Sequence, residues 1–297
     1  MPTYAVEAID DVTIAAESPI DGMELMSPYV WREDGRYRML VRGVPDPLGP
    51  HDPTGLIACG ASDDGLAFAL DAALAIAPGP DAADAGGCED PTVVTGPDGY
   101  VVYYTGVDAA RSQGSLIAAS GPSIAALVKR RVALEAPPGE GNIKEATLVQ
   151  TPQGDWRLFY EYAKDNASRI GVAAAARLGE PWQPLADPLP IRADSWDNWH
   201  LSTGPVITPP GGGDPVMFYN GATADARWRI GWVSFDPGFT RVTGRGLEPM
   251  LVPPPARDRI ATDIAFAASA VVEDDLIALY YSVEDRALRR AMVRHYR

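Results

Sequence analysis

The chain has 297 residues, 46% of them hydrophobic, enough for a substantial core, which excludes a disordered chain. A formal net charge of −15 leaves no basic stripe to displace counterions from a duplex, so nucleic acid is not the expected partner. An acidic surface is compatible with neutral ligands such as sugars.

The N-terminal "MPTYAVEAIDD" has neither the basic nor the apolar region of a secretory signal. No apolar run reaches the ~18 residues of a membrane span. Without an export signal, Cys59 and Cys88 read as free thiols in a reducing, cytoplasmic compartment. His51, His200 and His295 are scattered, so neither a zinc cluster nor any cofactor is expected.

From there a pattern repeats along the chain. The first copy is "SPYVWREDGR", then "YRMLVRG" and "GLIACGAS". The second is "EDPTVVTGPDG", "YVVYYTG", "SLIAAS". The third is "EATLVQTPQGD", "WRLFYEY", "RIGVAAA". The fourth is "GPVITPPGGGD", "VMFYNG", "RIGWVSF". The fifth is "ASAVVEDD", "IALYYSV", "ALRRAMV". Val41, Tyr104, Tyr160, Tyr219 and Tyr281 mark corresponding points, about sixty residues apart. Asp-Gly, Gly-Asp and paired acids sit at the turns, as hairpins require. Gly (29) and Pro (28) are frequent enough to favour short strands. A fourth strand fits "VKRRVALEA" or "TRVTGRGLE", although a short helix fits them equally. The spacing predicts an all-β chain, residues 1–297 forming a single five-bladed β-propeller of four-stranded antiparallel blades.

In such a ring the starts of the innermost strands and the ends of the second strands converge on one face. Alignment on the inner strand sets Asp90 opposite Ser27, Glu145, Gly204 and about Ala267. The residue after each second-strand marker is Arg42, Thr105, Glu161, Asn220 or Ser282, with Asp108 and Asp285 a little further on. Lys144 precedes Glu145, and His200 follows Trp199 ahead of the fourth inner strand; Asp263 precedes the fifth. Carboxylates, a few cations, an amide and aromatic faces are what a sugar ring requires. Paired carboxylates are also the machinery of glycosidic cleavage. Each residue has a plainer reading: Asp90 before Pro91 as a strand start, Glu145 with Lys144 as a surface ion pair, Arg42 with Asp285 as a tie between first and last blades, and His200 as a structural histidine.

In the order "SPYVW", "LVRGV", "ASDDGLAF", "CEDPT", "IKEATL", "STGPVIT", "FYNG", "LEPMLVP" and "YYSVED", the chain resembles glycoside hydrolase family 130, the β-mannoside phosphorylases and hydrolases. The resemblance runs from about Ser27 to Val293 and implies a five-bladed propeller. It implies Asp90 as catalytic acid, with Arg42, Lys144 and Asp285 holding the sugar beside it. Four departures stand out: Ser27 for the family's Asn, Thr92 for an Arg, Asn220 for a His and Glu161 for an Arg. In family phosphorylases, cations in such places cradle phosphate; a carboxylate would repel it. The expectation is therefore an inverting hydrolase of short β-mannosides or related oligosaccharides. Asp90 is its general acid and Glu161 or Glu145 its general base, at a separation of about 6.5–9.5 Å. Ser27, Arg42, Lys144, His200, Asn220, Asp263 and Asp285 would bind substrate. A phosphorylase using Lys144, Arg42 and His200 for phosphate, or a catalytically silent carbohydrate-binding propeller, are the alternatives. The partner is an oligosaccharide or glycoside, with no membrane; a homo-oligomer stays open.

Overall fold

The computed structural model describes residues 3–96, 98–136, 140–255 and 263–296. These form an all-β structure whose only helical turns are two short 3₁₀ segments, Ala82–Asp84 and Ile124–Ala126. The chain opens with β1 (Thr3–Ile14). A first unit follows: β2 (Glu24–Glu33), β3 (Arg36–Val44), β4 (Leu56–Ser62) and β5 (Ala67–Ile76). The second holds β6 (Gly87–Gly96), β7 (Gly99–Val107), β8 (Gly114–Gly121) and β9 (Val128–Leu134). The third holds β10 (Gly141–Gln150), β11 (Trp156–Lys164), β12 (Ala167–Ala175) and β13 (Gln183–Pro184). The fourth is interrupted: β14 (His200–Ser202), β15 (Val206–Ile207), β16 (Val216–Met217), β17 (Asn220–Ala222), β18 (Arg229–Ile230), β19 (Val233–Phe235) and β20 (Val242–Arg245). The last is β21 (Ala265–Glu273), β22 (Leu276–Val283) and β23 (Ala287–Tyr296).

Within the first three units and the last, consecutive strands pair antiparallel, whereas the fourth splits into β14-β17-β18 and β15-β16-β19-β20. The stretches "VKRRVALEA" and "TRVTGRGLE" supply β9 and β20, so both are strands rather than helices. The last unit finds its fourth strand elsewhere. The N-terminal β1 pairs antiparallel with β23 from Thr3↔Tyr296 to Val12↔Leu288. It also touches the first unit through a short parallel pairing, Thr13↔Ala67 and Ile14↔Phe68. The two ends of the repeat are thereby joined in one sheet.

Strands alternate their side chains, and the second strand of each unit is apolar on both faces because it is covered on both. Leu40 packs with Val102, Tyr104 and Ile117 of the second unit, whereas Met39 and Val41 pack with Ala278, Tyr280 and Leu288 of the last. Tyr103 meets Leu158 and Tyr160; Phe159 meets Met217, Tyr219 and Phe235; Phe218 meets Leu279 and Tyr281. Five apolar clusters thus lie between successive units, and one of them lies between last and first. The arrangement is propeller-like.

Candidate active site

The inner strands of four units carry a bulge near their start. Pairing shifts by one residue between Met26 and Tyr29, Glu89 and Thr92, Lys144 and Thr147, and Ala267 and Ser269. Bulges re-aim side chains, and here Ser27, Asp90 and Glu145 adopt left-handed backbone, with φ of 51°, 49° and 53°. Left-handed non-glycine residues carry strain of roughly 1–2 kcal/mol each. The recurrence of that strain at three equivalent positions marks the place where the chain turns a serine and two carboxylates toward the cavity. Pairing of Ser202 with Asn220 corresponds to Glu89 with Thr105. The fourth-unit counterpart of Asp90 is therefore Thr203, one residue before the Gly204 that spacing indicates. Gly204 is glycine for another reason: a Cβ there would lie 1.9 Å from the Phe218 carbonyl oxygen.

These bulges open onto a cavity of about 590 Å³. Ser27, Arg42, Asp90, Lys144, Glu145, Glu161 and Asp285 all line it. Asp285 arrives through the β22–β23 turn, where Glu284 and Asp285 have φ of 55° and 50°, the left-handed pair of a tight hairpin. Asp90 is buried and accepts from Ser27 Oγ (2.8 Å), Arg42 Nη1 (3.3 Å) and Thr105 Oγ1 (3.4 Å). Arg42 is held in turn by the Thr54 carbonyl, with Nη2 at 2.7 Å. Gly55 makes room for it, since a Cβ there would stand 2.8 Å from Arg42 Nε.

Glu89 organises the cations, a role that sequence spacing left unassigned. Its carboxylate takes Arg42 Nη2 at 2.8 Å and Lys144 Nζ at 2.9 Å. Burial alone would raise its pKa, but these two cations hold it below the ordinary glutamate value. Glu89 could have been suspected only from its neighbours in the ring, because it lies across from Thr105 in β7 while its partners come from β3 and β10.

Glu145 stands at the other extreme. Burial, then the charges of Asp90 and Glu161, push its carboxyl well above the usual range. Burial also raises Glu161, partly offset by hydrogen bonds such as the one from Ser168 Oγ at 2.8 Å. Asp285 is raised by burial, against the pull of Arg42.

Three expected ligands are not brought to the cavity lining. Asn220 is fully buried, and its amide is used by backbone: Nδ2 donates to Thr203 O (2.6 Å) and Ala267 O (3.2 Å), and Oδ1 accepts from Ala267 N–H (2.7 Å). It stitches the fourth unit to the last. His200 lies one layer back, its Nδ1 accepting from Ser168 N–H (3.1 Å) and its ring 5.4 Å from Trp228. Burial, then the nearby Arg169, lowers its pKa. Asp263 pairs with Arg227 (2.7 Å). Asp108 folds back onto Ser112 and Gln113 in its own turn. The lining that spacing did not indicate includes Trp228, Phe266, Ile264 and Leu48. Among the described residues, no group of three or more His, Cys, Asp or Glu is arranged to hold a metal. No described helix is long and apolar enough to cross a membrane.

Fold and cavity together define an all-β, propeller-like protein with an acid-lined pocket where its sheets converge. The same fold is found in solved mannoside-active enzymes. The β-1,2-mannobiose phosphorylase of Listeria innocua, in complex with β-1,2-mannobiose, superposes with a TM-score of 0.76 at 18% identity, over 97% of this chain and 91% of that one. A structure from work on the GH130 family of mannoside phosphorylases, which contains glycoside hydrolases that target β-1,2-mannosidic linkages in Candida mannan, gives 0.74 at 20% identity, over 91% and 84%. A mannose phosphorylase from Leishmania mexicana, in complex with a phosphate ion, gives 0.69 at 14%, over 97% and 88%. No protein-family model and no curated protein sequence matches the chain. The resemblance to glycoside hydrolase family 130 therefore holds at the level of the fold.

Proposed function

We propose that the chain is a family 130-like glycoside hydrolase, one five-bladed propeller that cleaves short β-mannosides or related oligosaccharides with inversion. Five recurring strand units and five apolar clusters between them support the blade count. The observation that carries the chemistry is the charge of the cavity. Seven lining carboxylates face two lining cations, Arg42 and Lys144, and both cations end on Glu89. An attacking phosphate would meet net negative charge; water would not be repelled.

Asp90 serves as general acid, giving its proton to the glycosidic oxygen as the C–O bond breaks. Glu161 serves as general base, taking a proton from the attacking water on the opposite face of the sugar. Glu145 is the poorer base of the two, because burial, then the charges of Asp90 and Glu161, raise its pKa well above the ordinary glutamate value.

The test is turnover of β-mannosides, β-1,2-mannobiose first, with and without inorganic phosphate, while proton NMR follows the product anomer. Phosphate-independent release of the α-anomer is expected. An Asp90→Asn variant should lose about 10²–10⁴-fold in kcat. Strict phosphate dependence with a mannose 1-phosphate product would replace hydrolase by phosphorylase. Tight sugar binding without turnover would make the chain a binding protein.

A further inference from the structure

The acid-lined cavity sits at the starts of the inner strands. A second cavity, of about 560 Å³, lies at the opposite end of the fourth unit, where the turn 208–215 joins β15 to β16. Tyr4, Ser234, Thr243 and His295 line it together with that turn. Tyr4 and His295 are partners in the β1–β23 pairing, and their rings stack at 4.9 Å. Phe218 meets the Tyr4 ring edge-on at 5.5 Å, and Trp232 lies 5.2 Å away. Only 8% of Tyr4 is exposed, so the core uses its ring. Its hydroxyl is left over. Tyr4 Oη and His295 Nδ1 are both buried without a hydrogen-bond partner among the described residues. Buried polar atoms without partners are uncommon in folded proteins, and here two of them meet at one cavity.

The rest of the lining suits hydroxyl groups. Thr243 Oγ1 donates to Ser234 Oγ (3.0 Å), and each oxygen keeps a lone pair to accept with. Burial raises the Tyr4 pKa, so its phenol is a neutral donor and acceptor. Asp214 is exposed at the rim, beside three glycines that carry no side chain over the entrance. An anion would meet the Asp214 charge, and the lining holds neither lysine nor arginine to offset it. A sugar or polyol hydroxyl both donates and accepts, which matches a phenol, an imidazole nitrogen and a carboxylate.

We propose that this pocket binds a small neutral polyhydroxylated ligand, a sugar or polyol, with Tyr4 Oη and His295 Nδ1 at its floor and Asp214 at its rim. It is separate from the acid-lined cavity and does not depend on the chemistry proposed there. No tyrosine lines that cavity, so fluorine NMR of protein labelled with 3-fluorotyrosine tells the two sites apart. The Tyr4 resonance, identified by its loss in Tyr4→Phe, is followed during titration with mannose, glucose and glycerol, and with choline and inorganic phosphate as charged counterparts. A saturable shift with at least one neutral probe, and none with choline or phosphate, is expected. Asp214→Asn should weaken that binding on the order of tenfold. Tyr4→Phe should melt no lower than wild type, because the hydroxyl it removes has no partner in the protein; a clear drop in Tm would reveal an internal partner and overturn the proposal. A shift with choline or phosphate instead would overturn the ligand class. No shift with any probe would leave the pocket to water alone and overturn the site.

Discussion

Glu145 and Glu161 are both glutamates of the third unit, and burial raises the pKa of each. Burial, then the charges of Asp90 and Glu161, raise the Glu145 carboxyl well above the ordinary 4.5 of the unfolded chain. Across the interval above that value the native state binds more protons than the unfolded one, so stability falls as pH rises. Glu145→Gln should therefore melt higher than wild type near neutral pH, and the gain should vanish below about pH 4.5; thermal melts across a pH series check this. Under the proposed mechanism Glu161 must lose its proton to act as base, and burial raises its pKa. The acid limb of the kcat profile should consequently lie above the ordinary glutamate range. Glu161→Gln should reduce kcat by about 10²–10⁴-fold and remove that limb from what activity remains.

Among elements, the bulged starts of the inner strands decide most. A strand without the bulge would continue its alternation, and the residue now facing the axis would pack between sheets instead. The bulges are also tied to one another across units: Ser269 Oγ accepts from Val30 N–H and donates to Pro28 O, Thr147 Oγ1 donates to Gly204 O, and Asn220 holds Thr203 and Ala267. Removing the Asn220 amide leaves buried backbone donors and acceptors without partners, each worth ~1–3 kcal/mol. Asn220→Ala should cost about 3 kcal/mol in urea unfolding and leave the sugar affinity of the folded protein unchanged. A large loss of affinity in a still-stable variant would return Asn220 to the binding site.

At the scale of the whole molecule, closure depends on a strand borrowed from the other end of the chain. Arg290 reaches Asp10 and Arg289 reaches Asp11, each at 3.0 Å, but such partly exposed pairs contribute little. Backbone pairing of β1 with β23, and burial of Tyr4 and Val12, does more. Deleting residues 1–14 should lower the urea midpoint and split unfolding into more than one transition. High salt should barely move the intact protein. A single transition at the wild-type midpoint after deletion would show that β1 does not hold the ring.

Period-two apolar patterning, turn residues and the spacing of repeats are local properties, so all-β units and the equivalence of Ser27, Asp90 and Glu145 were legible in the amino-acid order alone. So was the position of Arg42, Lys144, Glu161 and Asp285 near the same convergence, because the first three follow from their places in a repeated strand and Asp285 from the turn just beyond one. Three things needed the folded chain. Asn220 occupies a repeat position like that of Glu161, but an irregular fourth unit left backbone groups that only its amide satisfies. Glu89 and Trp228 acquire their surroundings from segments distant in the chain. The N-terminal strand completes the last sheet because an unpaired edge there would leave its hydrogen-bonding groups without partners. Spacing says where a residue stands within its own unit; which charges, rings and carbonyls it meets is set by the neighbouring units once the ring has closed.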